Sequence, residues 1–166
     1  RNGATEDRVT FSIGAYGDVT DAFAVSASAR ILFRDFEDTG LSQEVDLALG
    51  FAYRPVGGDV IVLNKLTLGH TDDESDLDDS TRSSKIVNNT TLNWRFTPRL
   101  EVSANVGGKY TIAEIDGEDY SGASGVVGAS ARYDLSEMWS IGAQGAALYS
   151  ENSGQLENSA GLFVGF

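Results

Sequence analysis

One acidic segment of the chain contains the residue types that bind calcium. The segment "DDESDLDD", Asp72 to Asp79, carries six carboxylates in eight residues, and Ca²⁺ prefers carboxylate and other oxygen ligands. The EF-hand spacing is not met, because Leu77 stands where that loop needs glycine and the closing glutamate is missing. We therefore expect solvated, mutually repelling loops here and in the weaker segment "DGED", Asp116 to Asp119. The weak calcium candidates are Asp72, Asp73, Glu74, Asp76, Asp78 and Asp79.

His70, the only histidine, lies directly before this segment. A catalytic Ser-His-Asp set needs a nucleophile and an orienting acid within hydrogen-bond reach, and Ser75 and Asp72 are close in sequence. No motif supports such a set. We therefore expect no enzymatic activity and no cofactor.

The composition limits the remaining classes of protein. The chain has 166 residues, enough for one domain, and no cysteine, which excludes disulfides and thiolate zinc sites. With 12 basic and 25 acidic residues the net charge is −13, so nucleic acid is not an expected partner. No run approaches the roughly 18 apolar residues of a membrane helix. A transmembrane strand needs only about 10 residues with every second one apolar, a pattern that hydropathy averaging does not detect.

The sequence is a repeat of hairpins. Tyr16, Tyr53, Trp94 and Tyr133 each precede a short turn and an apolar strand start, and they recur about every 40 residues. Polar segments alternate with these turns, so the eight connections predict nine strands in an antiparallel up-and-down sheet. We place the strands at 8–17, 22–34, 44–54, 60–70, 85–96, 100–113, 123–134, 139–150 and 158–166.

Alternation along these strands separates two faces. One face is apolar and carries no full charge; its polar exceptions are Asn64, His70, Asn88 and Thr90. The other face carries nine of the twelve basic residues against four acids. Besides Arg8, its predicted charged residues are Arg30, Arg34, Glu44, Asp46, Arg54, Lys65, Lys85, Arg95, Glu101, Lys109, Arg132 and Asp134. Tyr16 falls on this face although the repeat aligns it with Tyr53 on the other, so we expect either a bulge near Gly14 or an inward-pointing tyrosine.

Two arrangements could cover the apolar face. A soluble β-sandwich would bury it in protein, whereas a membrane-spanning barrel would turn it towards lipid. The predicted strands are long, short turns lie at one end and polar segments at the other, and aromatic residues gather near the turns, as in membrane-spanning barrels. The predicted interfacial aromatic girdle consists of Phe23, Tyr53, Trp94, Phe96, Tyr133 and Trp139.

The pattern resembles bacterial outer-membrane β-barrels over nearly the whole chain. More narrowly, "NWRFTPRLEVSANVGGKY" and "ARYDLSEMWSIGAQ" resemble hairpins in the C-terminal barrel that anchors very large repeat-bearing bacterial surface proteins. The resemblance implies a location in the bacterial outer membrane, with the lipid bilayer and lipopolysaccharide as partners, and other outer-membrane or surface proteins as further candidates. It also leaves a second interpretation of the acidic loops, as loose divalent-cation bridges to lipopolysaccharide.

The predicted fold is an all-β, antiparallel, up-and-down transmembrane β-barrel in a single domain, residues 1–166. Nine strands is an odd count, whereas bacterial single-chain barrels have even counts. We therefore expect part of a barrel of 10 or more strands, incomplete at one or both ends. The second interpretation is a complete eight-stranded barrel that ends at Phe166, with one strand divided in error.

Three functions remain open from the sequence. The first is a membrane anchor or structural component of a surface protein or assembly. The second is a porin-like channel, in which the surplus of bases favours anions. The third is a soluble β-sandwich binding module. Strand number bears on the first two, because the interior of a barrel of about 8 strands is filled by side chains, whereas larger barrels leave a channel.

Overall fold

A computed structural model describes residues 6–36, 40–74, 80–115, 117–151 and 154–165. Within these ranges there is no helix of the length and apolar character needed to cross a membrane. The strands are β1 (Glu6–Thr20), β2 (Phe23–Phe36), β3 (Gly40–Tyr53), β4 (Val60–Glu74), β5 (Ser80–Thr97), β6 (Leu100–Ile115), β7 (Glu118–Asp134), β8 (Ser140–Ser150) and β9 (Gln155–Gly165).

The nine strands form one sheet in chain order, and each strand is antiparallel to the next. The sheet is not closed: over the described residues, β1 and β9 do not pair with each other. The predicted nine-stranded meander is confirmed. The eight-stranded interpretation is wrong, because all nine strands are separate. The two-sheet sandwich is also wrong for this part of the chain, because it holds a single sheet.

The strands extend farther into the polar segments than the sequence predicts. The pairing of β4 with β5 continues through Asp72 and Arg82 to the end of β4, in a region predicted as loop. The Nε atom of Arg82 lies 3.3 Å from Oδ1 of Asp72. Beyond the apolar residues both sides of the strand are polar, so the alternation that marks a strand disappears before the backbone ladder ends.

Three of the four short turns have the same pattern of hydrogen bonds from the backbone to a side-chain hydroxyl. The hydroxyl oxygens of Thr20, Thr97 and Ser136 each accept bonds from the backbone N–H groups two and three residues later, at 3.0 to 3.3 Å. The fourth turn, after Tyr53, instead uses Gly57 with a φ of 70°, a conformation that glycine adopts without strain. This shared turn chemistry accounts for the repeat in the sequence.

The register keeps the two faces separate across the sheet. Leu49 lies opposite Ala27 on one side and Leu66 on the other, and we call their side of the sheet the apolar face. Asp46 lies opposite Arg30 and Gly69, and theirs is the polar face. Leu49 is 55% exposed, so within the described structure no other protein layer covers the apolar face. Leu32, on the polar face, is the most buried large side chain at 1% exposure.

Tyr16 points to the polar face. The pairing of β1 with β2 is regular past Gly14, and the shift in register comes only between Asp18 and Thr20. The Tyr16 hydroxyl accepts a hydrogen bond from Nη2 of Arg54 at 3.2 Å and donates one to Oδ1 of Asp18 at 2.9 Å. Of the two explanations offered by the sequence, the inward-pointing tyrosine is therefore the correct one.

Candidate functional site: the charged polar face

Five charged side chains form one cluster on the polar face. Nη2 of Arg30 on β2 lies 2.8 Å from Oε1 of Glu44 on β3, and it also contacts Oδ2 of Asp46. Arg34, four residues further along β2 on the same face, reaches Glu44 at 3.5 Å. Lys85 on β5 lies 3.9 Å from Oδ1 of Asp46. We call these residues the central charge cluster; its three bases are largely neutralised by its two acids.

The link between Lys85 and Asp46 spans an intervening strand. The two residues lie on β5 and β3, and Gly69 of β4 is directly opposite both of them. A Cβ atom at Gly69 would lie 2.4 Å from Cε of Lys85 and 2.8 Å from Oδ1 of Asp46. Both distances are too short for real contacts, so a side chain at this position would displace the ends of Lys85 and Asp46 from each other.

Further charges lie towards the turn ends of β5, β6 and β7. Glu101 is opposite Arg95 on one side and Arg132 on the other. The ion pair formed here is between Nε of Arg132 and Oδ1 of Asp134, at 3.1 Å within one strand. All four residues share the polar face with the central charge cluster. Arg54 contacts the same face through its hydrogen bond to the Tyr16 hydroxyl.

Two lysines on the polar face, Lys65 and Lys109, stand apart from the central charge cluster. Both are exposed, and among the described residues neither lies within ion-pair distance of a carboxylate. Lys65 is opposite Gly50 and Asn89, and Lys109 is opposite Val87 and Ser124. These two ammonium groups are therefore uncompensated, unlike the bases of the central charge cluster.

The longer strands also place charges that sequence reasoning missed. Among the residues whose side chains are described, the register puts four additional acids on the polar face, at the ends of the strands: Asp18, Asp73, Glu118 and Glu157. Other charges reach the apolar-face side at the ends nearest the polar segments: Asp7, Asp35, Asp72, Arg82, Glu114 and Asp119. The predicted excess of bases on the polar face thus holds for the middle of the strands and not for their ends.

The six predicted girdle aromatics all lie near the turn ends of the strands. Phe23 stacks on Phe51 with ring centroids 5.7 Å apart, and Trp94 meets Phe96 edge-on at 4.8 Å. Phe51 was not among the predicted set. The remaining members, Tyr53, Tyr133 and Trp139, are 40 to 51% exposed. That this row lies at a membrane interface stays a prediction.

The acidic segment is only partly described. Asp72 and Asp73 are consecutive in β4 and point to opposite faces, and Asp72 pairs with Arg82. Asp76, Asp78 and Asp79 lie outside the described residues, as does the side chain of Glu74. Across the ranges that the structure describes, no group of three metal-ligating side chains comes together.

The histidine forms a hydrogen bond across the sheet. Nδ1 of His70 lies 2.9 Å from Oγ of Ser84 on β5. Ser75, its predicted neighbour, lies outside the described residues. Among the side chains that are described, no carboxylate is hydrogen-bonded to His70, so the acid of a triad is missing from this pair.

Comparison with known proteins gives the fold of this sheet. No protein-family model matches the chain, and no curated protein has a matching sequence. In-vitro folded OmpT, an outer membrane protein of Vibrio cholerae, superposes with a TM-score of 0.65 at 11% identity, over 96% of this chain and 55% of that one. Outer-membrane expressed OmpT of Vibrio cholerae gives 0.63 at 13% identity, over 97% and 55%. Its loop L8 deletion mutant gives 0.67 at 11%, over 96% and 53%.

The chain therefore spans about half of the length of each of these solved structures. At this level of identity the likeness concerns the fold, which is that of a bacterial outer-membrane β-barrel. It supports the predicted location in the outer membrane.

Proposed function

We propose that this chain is an integral outer-membrane β-barrel element that serves as a membrane anchor or structural component. One observation carries the proposal: in the middle of nine strands of 11 to 18 residues, the register collects apolar positions on one side and the charges on the other, and charges reach the apolar face only at the strand ends. Only a closed sheet satisfies its backbone groups in hydrocarbon, and an apolar outer face is what such a sheet presents to lipid. Its partners are the bilayer and lipopolysaccharide, together with any surface protein that the barrel holds.

Closure of this sheet calls for further strands. Because neighbours alternate in direction, β1 and β9 run the same way, so antiparallel closure requires an odd number of additional strands between them. The similarity to structures about twice as long favours a wide barrel of this kind. In it the central charge cluster lies against the inner wall and ties β2, β3 and β5 together.

The test is the behaviour of the full-length protein in cells. We expect it in the outer-membrane fraction, as a species that resists denaturation by detergent at room temperature and changes gel mobility after heating. A protein recovered in the soluble fraction and monodisperse without detergent would contradict the proposal.

A channel is the second candidate, and the uncompensated lysines favour it. A wide barrel leaves a water-filled lumen, and rings of basic side chains select anions. Lys65 and Lys109 are exposed on the polar face and unpaired among the described residues, whereas the bases of the central charge cluster are paired. Recordings in planar bilayers separate the two functions, because an anchor with a filled interior gives no stepwise currents.

If the protein conducts, we expect a preference for anions that Lys65→Glu and Lys109→Glu reduce or reverse. Arg132→Glu, which makes the same change in charge, is the matched control, since that guanidinium is already paired with Asp134 at 3.1 Å. Equal effects of all three substitutions on selectivity would contradict the assignment of the preference to the two lysines.

A further inference from the structure

A polar patch interrupts the middle of the apolar face. Asn64 on β4 and Asn88 and Thr90 on β5 all lie on this face, as their pairing with apolar neighbours shows. The patch is flanked along β5 by Leu92 towards the turns and by Ile86 towards the polar segments. In the proposed orientation these amide groups lie at the depth of the acyl chains, where nothing in lipid can bond to them.

The three side chains bond to one another but not completely. The Asn64 amide donates to Oδ1 of Asn88 at 3.1 Å and to Oγ1 of Thr90 at 2.7 Å. The Asn88 amide returns one long bond of 3.4 Å to Oδ1 of Asn64. Among the described residues, the second N–H of Asn88 and the hydroxyl proton of Thr90 have no acceptor. The patch therefore retains donors and acceptors for a partner outside the chain.

The surface beside the patch is flat. Gly108 of β6 lies opposite Asn88, and Gly125 of β7 lies opposite Gly108. A Cβ atom at Gly108 would meet no other atom within 4 Å, so the space above it is open. Small residues of this kind let another backbone approach closely in membranes, where exposed polar side chains then bond between the surfaces.

We infer that this patch is an interface with a second copy of the same chain in the membrane, an inference that rests on the proposed function. An amide group both donates and accepts, so a patch built on Asn64 and Asn88 is complementary to an identical patch facing it. Lipid would leave the remaining donors unsatisfied, whereas a second copy satisfies them and covers the glycine surface at the same time.

The test uses cross-linking in the full-length protein in its own membrane. The 166 residues contain no cysteine, so Gly108→Cys introduces a single thiol beside the patch, and Asn64, Asn88 and Thr90 remain intact. Ile13→Cys, on the apolar face of β1 and 76% exposed, is the matched control. Mild oxidation should give a disulfide-linked species of twice the mass with Gly108→Cys and not with Ile13→Cys.

A second variant pair keeps the result interpretable. Asn64→Leu with Asn88→Leu suits a lipid-facing surface, so insertion should persist, but the cross-linked fraction of Gly108→Cys should fall about tenfold. Equal cross-linking at both cysteines, a cross-link to a different protein, or no effect of the leucines would overturn the inference. Insertion is checked first by outer-membrane fractionation: a chain that does not insert contradicts the proposed function, whereas an inserted chain without the cross-link contradicts the interface alone.

Discussion

The substitution Gly69→Ala should destabilise the protein although it replaces a glycine within a strand. The new Cβ would lie 2.4 Å from Cε of Lys85 and 2.8 Å from Oδ1 of Asp46, so it separates these two side chains. Oδ1 of Asp46 is shielded from solvent and accepts no hydrogen bond from the described residues. The Lys85 ammonium, 3.9 Å away, is the cation that faces it.

The expected magnitude is the balance of two opposing effects. Alanine in place of a strand glycine ordinarily stabilises by about 0.5–1 kcal/mol. Breaking an exposed ion pair costs about 0.2–1 kcal/mol, and breaking a buried one about 3–5 kcal/mol. The Asp46 and Lys85 side chains are 17% and 36% exposed, and Arg30 continues to pair with Asp46, so this pair lies between those limits. We expect a net loss of about 1–2 kcal/mol.

Urea unfolding of the protein folded in detergent or lipid measures this loss, with the fluorescence of Trp94 and Trp139 as the signal. Gly17→Ala is the control, because a Cβ atom there meets nothing within 4 Å; it should be neutral or slightly stabilising. In a Lys85→Ala background, Gly69→Ala should cost almost nothing. Two results would refute the ion pair between Lys85 and Asp46 across Gly69. One is a Gly69→Ala protein as stable as Gly17→Ala. The other is a loss of stability from Gly69→Ala that is unchanged in the Lys85→Ala background.

Two other substitutions test local contacts. Thr97→Val removes the hydroxyl that accepts the Leu100 N–H at 3.0 Å; we expect a loss of about 0.5–1.5 kcal/mol in the same urea assay, and an unchanged midpoint would contradict the role of this turn bond. Tyr16→Phe removes the hydroxyl that links Arg54 and Asp18 at an exposed site. We expect the free energy of unfolding to fall by no more than about 1 kcal/mol, with folding and membrane insertion unchanged. A larger loss would mean that Tyr16 packs more tightly than its exposure indicates.

The strands could be predicted from the sequence because their alternation is long and regular. Leu49 and Val127 fall on one face in both the sequence pattern and the structure. The strand ends could not be predicted, since residues such as Asp72 and Arg82 are polar on either side and carry no periodic signal. The five residues of the central charge cluster are among the charged residues predicted for the polar face, but the sequence does not show which of them pair.

The ion pair between Asp46 and Lys85, which spans Gly69, shows why the site was only partly predictable. It depends on three residues that are 16 to 39 positions apart in the chain and come together only when the register of β3, β4 and β5 is known. A one-residue slip in β3, β4 or β5 would turn Asp46, Gly69 or Lys85, respectively, to the other face. A glycine in a predicted strand does not by itself indicate that two side chains meet over it, and this is seen only when the neighbouring residues are known.

The most direct test of the two faces compares arginine substitutions at two positions of β7 that are three residues apart. Val127 is 58% exposed on the apolar face, and Ser130 lies on the polar face. If the apolar face contacts lipid, Val127→Arg should cost about 2–4 kcal/mol and reduce the fraction of folded protein in the outer membrane, measured by heat-modifiable gel mobility, whereas Ser130→Arg should leave it near the wild-type value. Equal losses at the two positions, or a greater loss at Ser130, would contradict the assignment of the two faces.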